Sequence, residues 1–66
     1  MKFAVFAYDR LNGSVQPIMV TNIKSHAHKT IKDCRKAHTE ACKKYGVDEF
    51  ITYYFEERDT TDAAKN

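Results

Sequence analysis

The chain has 66 residues, 42% of them hydrophobic, with 11 Lys/Arg against nine Asp/Glu and a net charge of +2. That length admits one domain with a small core, and four Tyr with four Phe in so short a chain exclude a disordered composition. No apolar run nears the ~20 residues that cross a bilayer. The opening "MKFAVFAYDR" lacks the apolar stretch and small-residue cleavage site of a secretory leader. The expected compartment is therefore cytoplasmic, with no membrane partner and with Cys34 and Cys42 reduced.

The small net charge conceals a segregation. Residues 24–44 carry seven Lys/Arg against Asp33 and Glu40, whereas residues 45–66 carry two Lys/Arg against six acids. A basic middle and an acidic end make a dipolar molecule, whose partner the global charge does not identify.

Taken in chain order, "KFAVFAYD" is aromatic and β-branched enough for a strand. Asn12-Gly13 follows and signals a hairpin, because both residue types tolerate positive φ. A two-residue loop there sets Leu11 opposite Ser14, Val5 opposite Val20 and Ala7 opposite Ile18. "VQPIMVTNI" is the returning strand, and Pro17 confines it to an edge because proline cannot donate to a ladder. From about Ser25, a candidate N-cap, the pattern takes a helical period and runs to Gly46, placed as a left-handed C-cap, with Lys43 and Lys44 in the last turn. "EFITYYFEER" is the third strand, and residues 59–66 have nothing to bury and are expected to fray. The fold class predicted is α+β: a single domain over residues 1–58, ββαβ, with a three-stranded antiparallel sheet in the order 2-1-3 and one helix packed on one face. A right-handed crossover would instead lay the third strand parallel to the second.

On a wheel of 100° per residue, Ala27, Ile31, Cys34, Ala37, Ala41, Cys42 and Tyr45 share one helix face, with His38 among them. The spacing Cys34–His38–Cys42 invites a metal reading, but eight residues of helix separate the two sulfurs by about 12 Å along the axis. Neither one zinc ion nor a disulfide bridges that gap, so the stripe is read as packing and no metal or other cofactor is expected. His26 is read as a surface residue. His28, Lys29, Lys32, Arg35, Lys36 and Lys43 form a second arc, bordered by Asp33 and Glu40. This arc is first a solvated surface, and as a contact it suits an acidic protein surface or a phosphate backbone.

Both sheet faces carry large apolar groups, although one helix covers only one face. The predicted register puts Phe6 and Tyr8 with Pro17, Met19 and Thr21, and alternation splits Tyr53 and Phe55 from Tyr54. The pattern does not choose the face that the helix takes. The residues assigned to a protein contact are therefore Phe6, Tyr8, Met19, Tyr53, Tyr54 and Phe55, rimmed by Glu56 and Glu57. There is no Gly-rich phosphate loop, nucleophile elbow or His-Glu-x-x-His, and both glycines have turn or cap duties. The expectation is a non-enzymatic binding module, an inhibitor or regulator that occupies a surface of a larger protein. In size and layout it resembles small phage-encoded proteins that block host enzymes, with no shared motif. The alternative is a nucleic-acid-binding regulator using the basic arc, and a homodimer through the apolar face is compatible with either.

Overall fold

The computed structural model describes residues 1–58, so the tail expected to fray lies outside the described residues. Strands β1 (Lys2–Asp9) and β2 (Ser14–Thr21), helix α1 (Lys24–Tyr45) and strand β3 (Ile51–Arg58) follow one another along the chain. The sheet is antiparallel in the order β2-β1-β3, the α+β architecture the pattern predicts. β1 takes the centre because it is apolar on both sides, with Phe3, Ala4 and Val5 all buried. β2, carrying Pro17, is an edge.

The hairpin loop is longer than expected. Asp9, not Leu11, faces Ser14, so residues 10–13 form a four-residue loop. Asp9 closes it from both its main chain and its side chain. Its carbonyl accepts the Gly13 N–H at 2.8 Å, and its Oδ1 accepts the Leu11 N–H at 2.8 Å. Gly13 takes the left-handed conformation at φ 73°, while Asn12 keeps negative φ and instead accepts the Ser14 N–H at 2.9 Å. The Asn-Gly signal thus marks the turn, and the Asp9 carboxylate sets its length.

The register changes with it. Val5 faces Met19 and Phe6 faces Pro17, leaving Ile18 as the extra residue of a bulge. The expected Val5–Val20 and Ala7–Ile18 pairs are replaced by Ala4–Val20 and Ala7–Gln16. Beyond the bulge every side chain of β2 changes face relative to the expected register, because the strand period is two. Met19 therefore joins Val5, and Val20 joins Ala4.

The helix also starts two residues early. Ile23 is its extended N-cap residue (φ −115°, ψ 111°) without a side-chain cap bond, and Ser25 lies inside the first turn. Thr21 Oγ1 accepts the Ile23 N–H at 3.1 Å, turning the chain out of β2 before Ser25 is reached. The C-terminus matches expectation: Gly46 is left-handed (φ 68°, ψ 31°). Gly46 and Val47 donate to the Lys43 and Cys42 carbonyls at 3.3 and 3.0 Å, the paired bonds of a Schellman stop.

Helix α1 lies on the face of Phe3 and Val5. Val5 and Ala27 are wholly buried, Phe3 stacks on Phe55 with ring centroids 5.8 Å apart, and Met19, Ile31 and Phe55 pack around them. Of the expected stripe, Ala27, Ile31, Cys34, His38 and Cys42 pack inward, whereas Ala37, Ala41 and Tyr45 are exposed. A 22-residue helix spans about 33 Å and an eight-residue strand about 27 Å, so the last turn overhangs the sheet; Ala37 sits on the flank.

With so few buried residues, each carries a large share of the stability. Val5→Ala should cost about 2–3 kcal/mol, from two lost methyl groups and the cavity left behind. A urea unfolding curve should show this as a large fall in midpoint at unchanged slope.

Candidate binding surfaces

The face opposite the helix is built by alternation. Residues paired across strands share a face, so Phe6 lies between Pro17 and Tyr54, Tyr8 between Val15 and Thr52, and Ala4 between Val20 and Glu56. Phe6 and Tyr54 stack with centroids 5.5 Å apart. Val20, Val15 and Tyr8 remain 62%, 50% and 36% exposed, so this is an apolar surface without a cover among the described residues. Arg58 closes one end: its guanidinium lies 5.6 Å from the Phe6 ring centroid and 3.6 Å from Glu56.

Of the residues assigned to a protein contact, Phe6, Tyr8, Tyr54 and Glu56 lie together here. Met19, Tyr53 and Phe55 do not. The Ile18 bulge moves Met19 under the helix, where Thr30 Oγ1 approaches its sulfur at 2.9 Å, and Phe55 belongs to the core cluster. Tyr53, paired with Ala7, is half-buried beneath α1. Glu57 sits on the helix side too, 3.9 Å from Lys24 Nζ. Val15 and Val20 belong to the open surface but are not among the expected contact residues: the expected register sets Val20 opposite Val5, away from Phe6 and Tyr8, and leaves Val15 unassigned. The bulge beside Pro17 turns Val20 outward, and the four-residue loop sets Val15 opposite Tyr8.

The basic arc is exposed along its length, and its position is asymmetric. His28 lies against Phe55 at 5.0 Å between ring centroids, and Thr39 donates to Glu49 Oε1 at 2.7 Å, so this flank of α1 stands over β3. Arg35 joins two open grooves. One, about 420 Å³, is lined by Arg10, Arg35, Glu49, Ile51, Thr52 and Tyr53. The other, about 390 Å³, is lined by His28, Ile31, Lys32, Arg35, Lys36 and Thr39. Arg10 was not picked out by sequence; it reaches the groove because its guanidinium donates to the Glu49 carbonyl at 2.7 Å. Lys29 pairs with Asp33 at 2.8 Å, which lowers the Asp33 carboxyl and raises the Lys29 ammonium. Lys43 lies apart, in the last turn of the helix.

His38 connects the helix to β3. Its Nε2 accepts from the Phe50 and Ile51 N–H groups at 3.1 and 3.3 Å, so the ring proton belongs on Nδ1. The ring meets Phe50 edge-on at 4.9 Å, and Cys42 Sγ lies 3.6 Å from Nε2. Among the described residues no three His, Cys, Asp or Glu side chains converge as a metal site. None of the described helices is long and apolar enough to cross a membrane. Comparison with protein-family models, curated proteins and solved structures gave no match to this chain.

His38→Ala should remove the acceptor for both amides and destabilise the protein by about 1–3 kcal/mol. Hydrogen exchange should quicken at Phe50 and Ile51 beyond the change seen at the central strand. Burial, with the Cys34 and Cys42 charges at high pH, pushes the Tyr53 phenol upward. The folded state then holds a proton that the unfolded chain releases near pH ~10, so stability should fall as pH rises through the ordinary tyrosine range. Tyr53→Phe should flatten that part of the stability–pH curve.

Proposed function

We propose that this chain is a small cytoplasmic protein-binding module without catalytic activity, which inhibits or modulates a larger protein by covering part of its surface. The observation that carries the reading is the uncovered sheet face, where Pro17, Phe6 and Tyr54 form a continuous row flanked by Val15, Tyr8 and Val20. Aromatic side chains at the centre with charges at the margin are the composition of a protein contact. Here Glu56, Arg58 and Lys2 supply that margin. The face lies on a sheet braced by the helix behind it, so the partner meets a preformed surface at small ordering cost.

Charge sharpens the choice against the competing reading, a nucleic-acid-binding regulator acting through His28, Lys29, Lys32, Arg35, Lys36 and Lys43, alone or as a homodimer. Nucleic acid favours contiguous cations, and Lys29 is held by Asp33 while Glu49 lies against the same flank. The uncovered face offers what the basic flank lacks, an apolar centre where binding energy concentrates.

The test is capture of a partner from native lysate by the tagged full chain, with and without nuclease, followed by affinity measurement with the purified partner. A stoichiometric protein that survives nuclease should lose about 10–100-fold affinity on Phe6→Ala or Tyr8→Ala, as for anchors at an interface centre. Loss of every captured species on nuclease treatment would hand the reading to nucleic acid. A self-associating chain whose dimer is broken by the same substitutions would make the partner a second copy.

A further inference from the structure

The two edges of the sheet are not equivalent. β2 is blunted by Pro17 and by the Ile18 bulge, two devices that stop another strand from adding. β3 has neither, and pairs with β1 without interruption over all eight residues. The Arg10 N–H donates to the Phe50 carbonyl at 2.9 Å, which makes 10–50 a hydrogen-bonded pair. By antiparallel alternation the even residues of β3 bond to β1, and the N–H and C=O groups of Tyr53, Phe55 and Glu57 point away from it. No group among the described residues hydrogen-bonds to these. The basic flank of α1 stands over the same edge, placed there by the His28–Phe55 and Thr39–Glu49 contacts.

We propose that the β3 edge is a strand-addition site for an extended acidic segment of a partner protein. The space a fourth strand would occupy lies about 4.8 Å outside β3, beneath Arg35 and Lys32 and beside Arg10. Arg10, Lys32, Arg35 and Lys36 line the two grooves there with a single carboxylate, Glu49, already accepting from Thr39. Acids at alternate positions of the added strand recur about every 7 Å on the helix side. Lys32 and Lys36, four apart on α1, lie ~6 Å from each other along the helix with Arg35 between them, so successive acids meet Lys32 and then Arg35 or Lys36. Glu56 and Glu57 occupy the far end of β3, where Arg58 and Lys24 engage them. The added strand is therefore acidic opposite the first half of β3 and not opposite its end.

Charge and the open main-chain groups together select this occupant over two others. A second copy adding through its own β3 about a twofold axis would place both helices on one side and lay the start of each β3 against the end of the other, where the helix-side carboxylate, Glu57, is already drawn to Lys24 at 3.9 Å and leaves the cations unanswered. A polynucleotide has the charge but not the alternating N–H and C=O groups that the edge requires. This surface lies on the helix side and the β3 edge, separate from the Phe6–Tyr8 surface of the proposed function.

The probe is a synthetic peptide of strand length with Glu alternating with Val in one half and Thr alternating with Val in the other, titrated into the isotope-labelled full chain and compared with the same peptide carrying Lys for Glu. The expected result is slowed hydrogen exchange at the Tyr53, Phe55 and Glu57 amides with the Glu peptide alone. Arg35→Glu, at an exposed position, should weaken binding about tenfold or more without changing the fold. Absence of binding at millimolar Glu peptide would overturn the proposal. So would shifts confined to the helix lysines with the β3 amides unchanged, or equal protection by a single-stranded oligonucleotide. The outcome is independent of whether Phe6→Ala or Tyr8→Ala disturbs a captured partner, so either reading can fail alone.

Discussion

One helix shields one face of a three-stranded sheet, and the other surfaces of this protein follow from that constraint. α1 rests on Phe3, Val5 and Phe55, and the small Ala27 at the point of contact lets the helix approach the sheet closely. Everything alternating with those residues must then face away. Phe6, Tyr8 and Tyr54 are therefore left uncovered although each presents an aromatic ring. The buried set is so short that the hydrophobic contribution is small, and a chain of this size has little stability to spend on a second apolar surface unless that surface is used.

The return from helix to sheet depends on a polar join. Five residues separate Tyr45 from Ile51, and the backbone N–H groups of Phe50 and Ile51 would otherwise enter the half-buried seam without partners. His38 meets both with one lone pair while its ring packs against Phe50, so a single side chain supplies an acceptor and apolar area together. This explains a histidine in the middle of an apolar stripe without a metal: the cysteine below it is a buried packing residue, and the imidazole acts as a clamp on β3. Gly46 and the Schellman bonds set the direction of the connection, and His38 holds its far end.

The fold was legible because its strongest signals are local. Pro17 marks an edge, Gly46 a helix stop, and the change from a two-residue to a helical period separates β2 from α1. Register was less legible because it depended on Asp9, whose carboxylate lengthens the turn, and on one extra residue beside Pro17. That single bulge separates Met19 from Tyr8 and puts Val20 in its place, whereas Tyr53, Phe55 and Glu57 fall on the helix side because alternation alone does not say which face the helix takes. The basic arc was visible as an arc, but its position over β3 was not. A wheel gives the angle between helix faces and says nothing about which strand lies beneath each flank.

That position changes what the charge segregation means. Along the chain the basic residues precede the acidic ones, which suggests two poles. In the fold, Lys32 and Arg35 stand over the strand that carries Glu56 and Glu57, so the poles lie side by side. They do not cancel, because the acids sit at the end of β3 and are drawn to Lys24 and Arg58, while the cations overhang its beginning. The field along β3 therefore changes sign from one end of the strand to the other. A partner lying along it is oriented by charge, and the open main-chain groups of Tyr53, Phe55 and Glu57 can then fix its register.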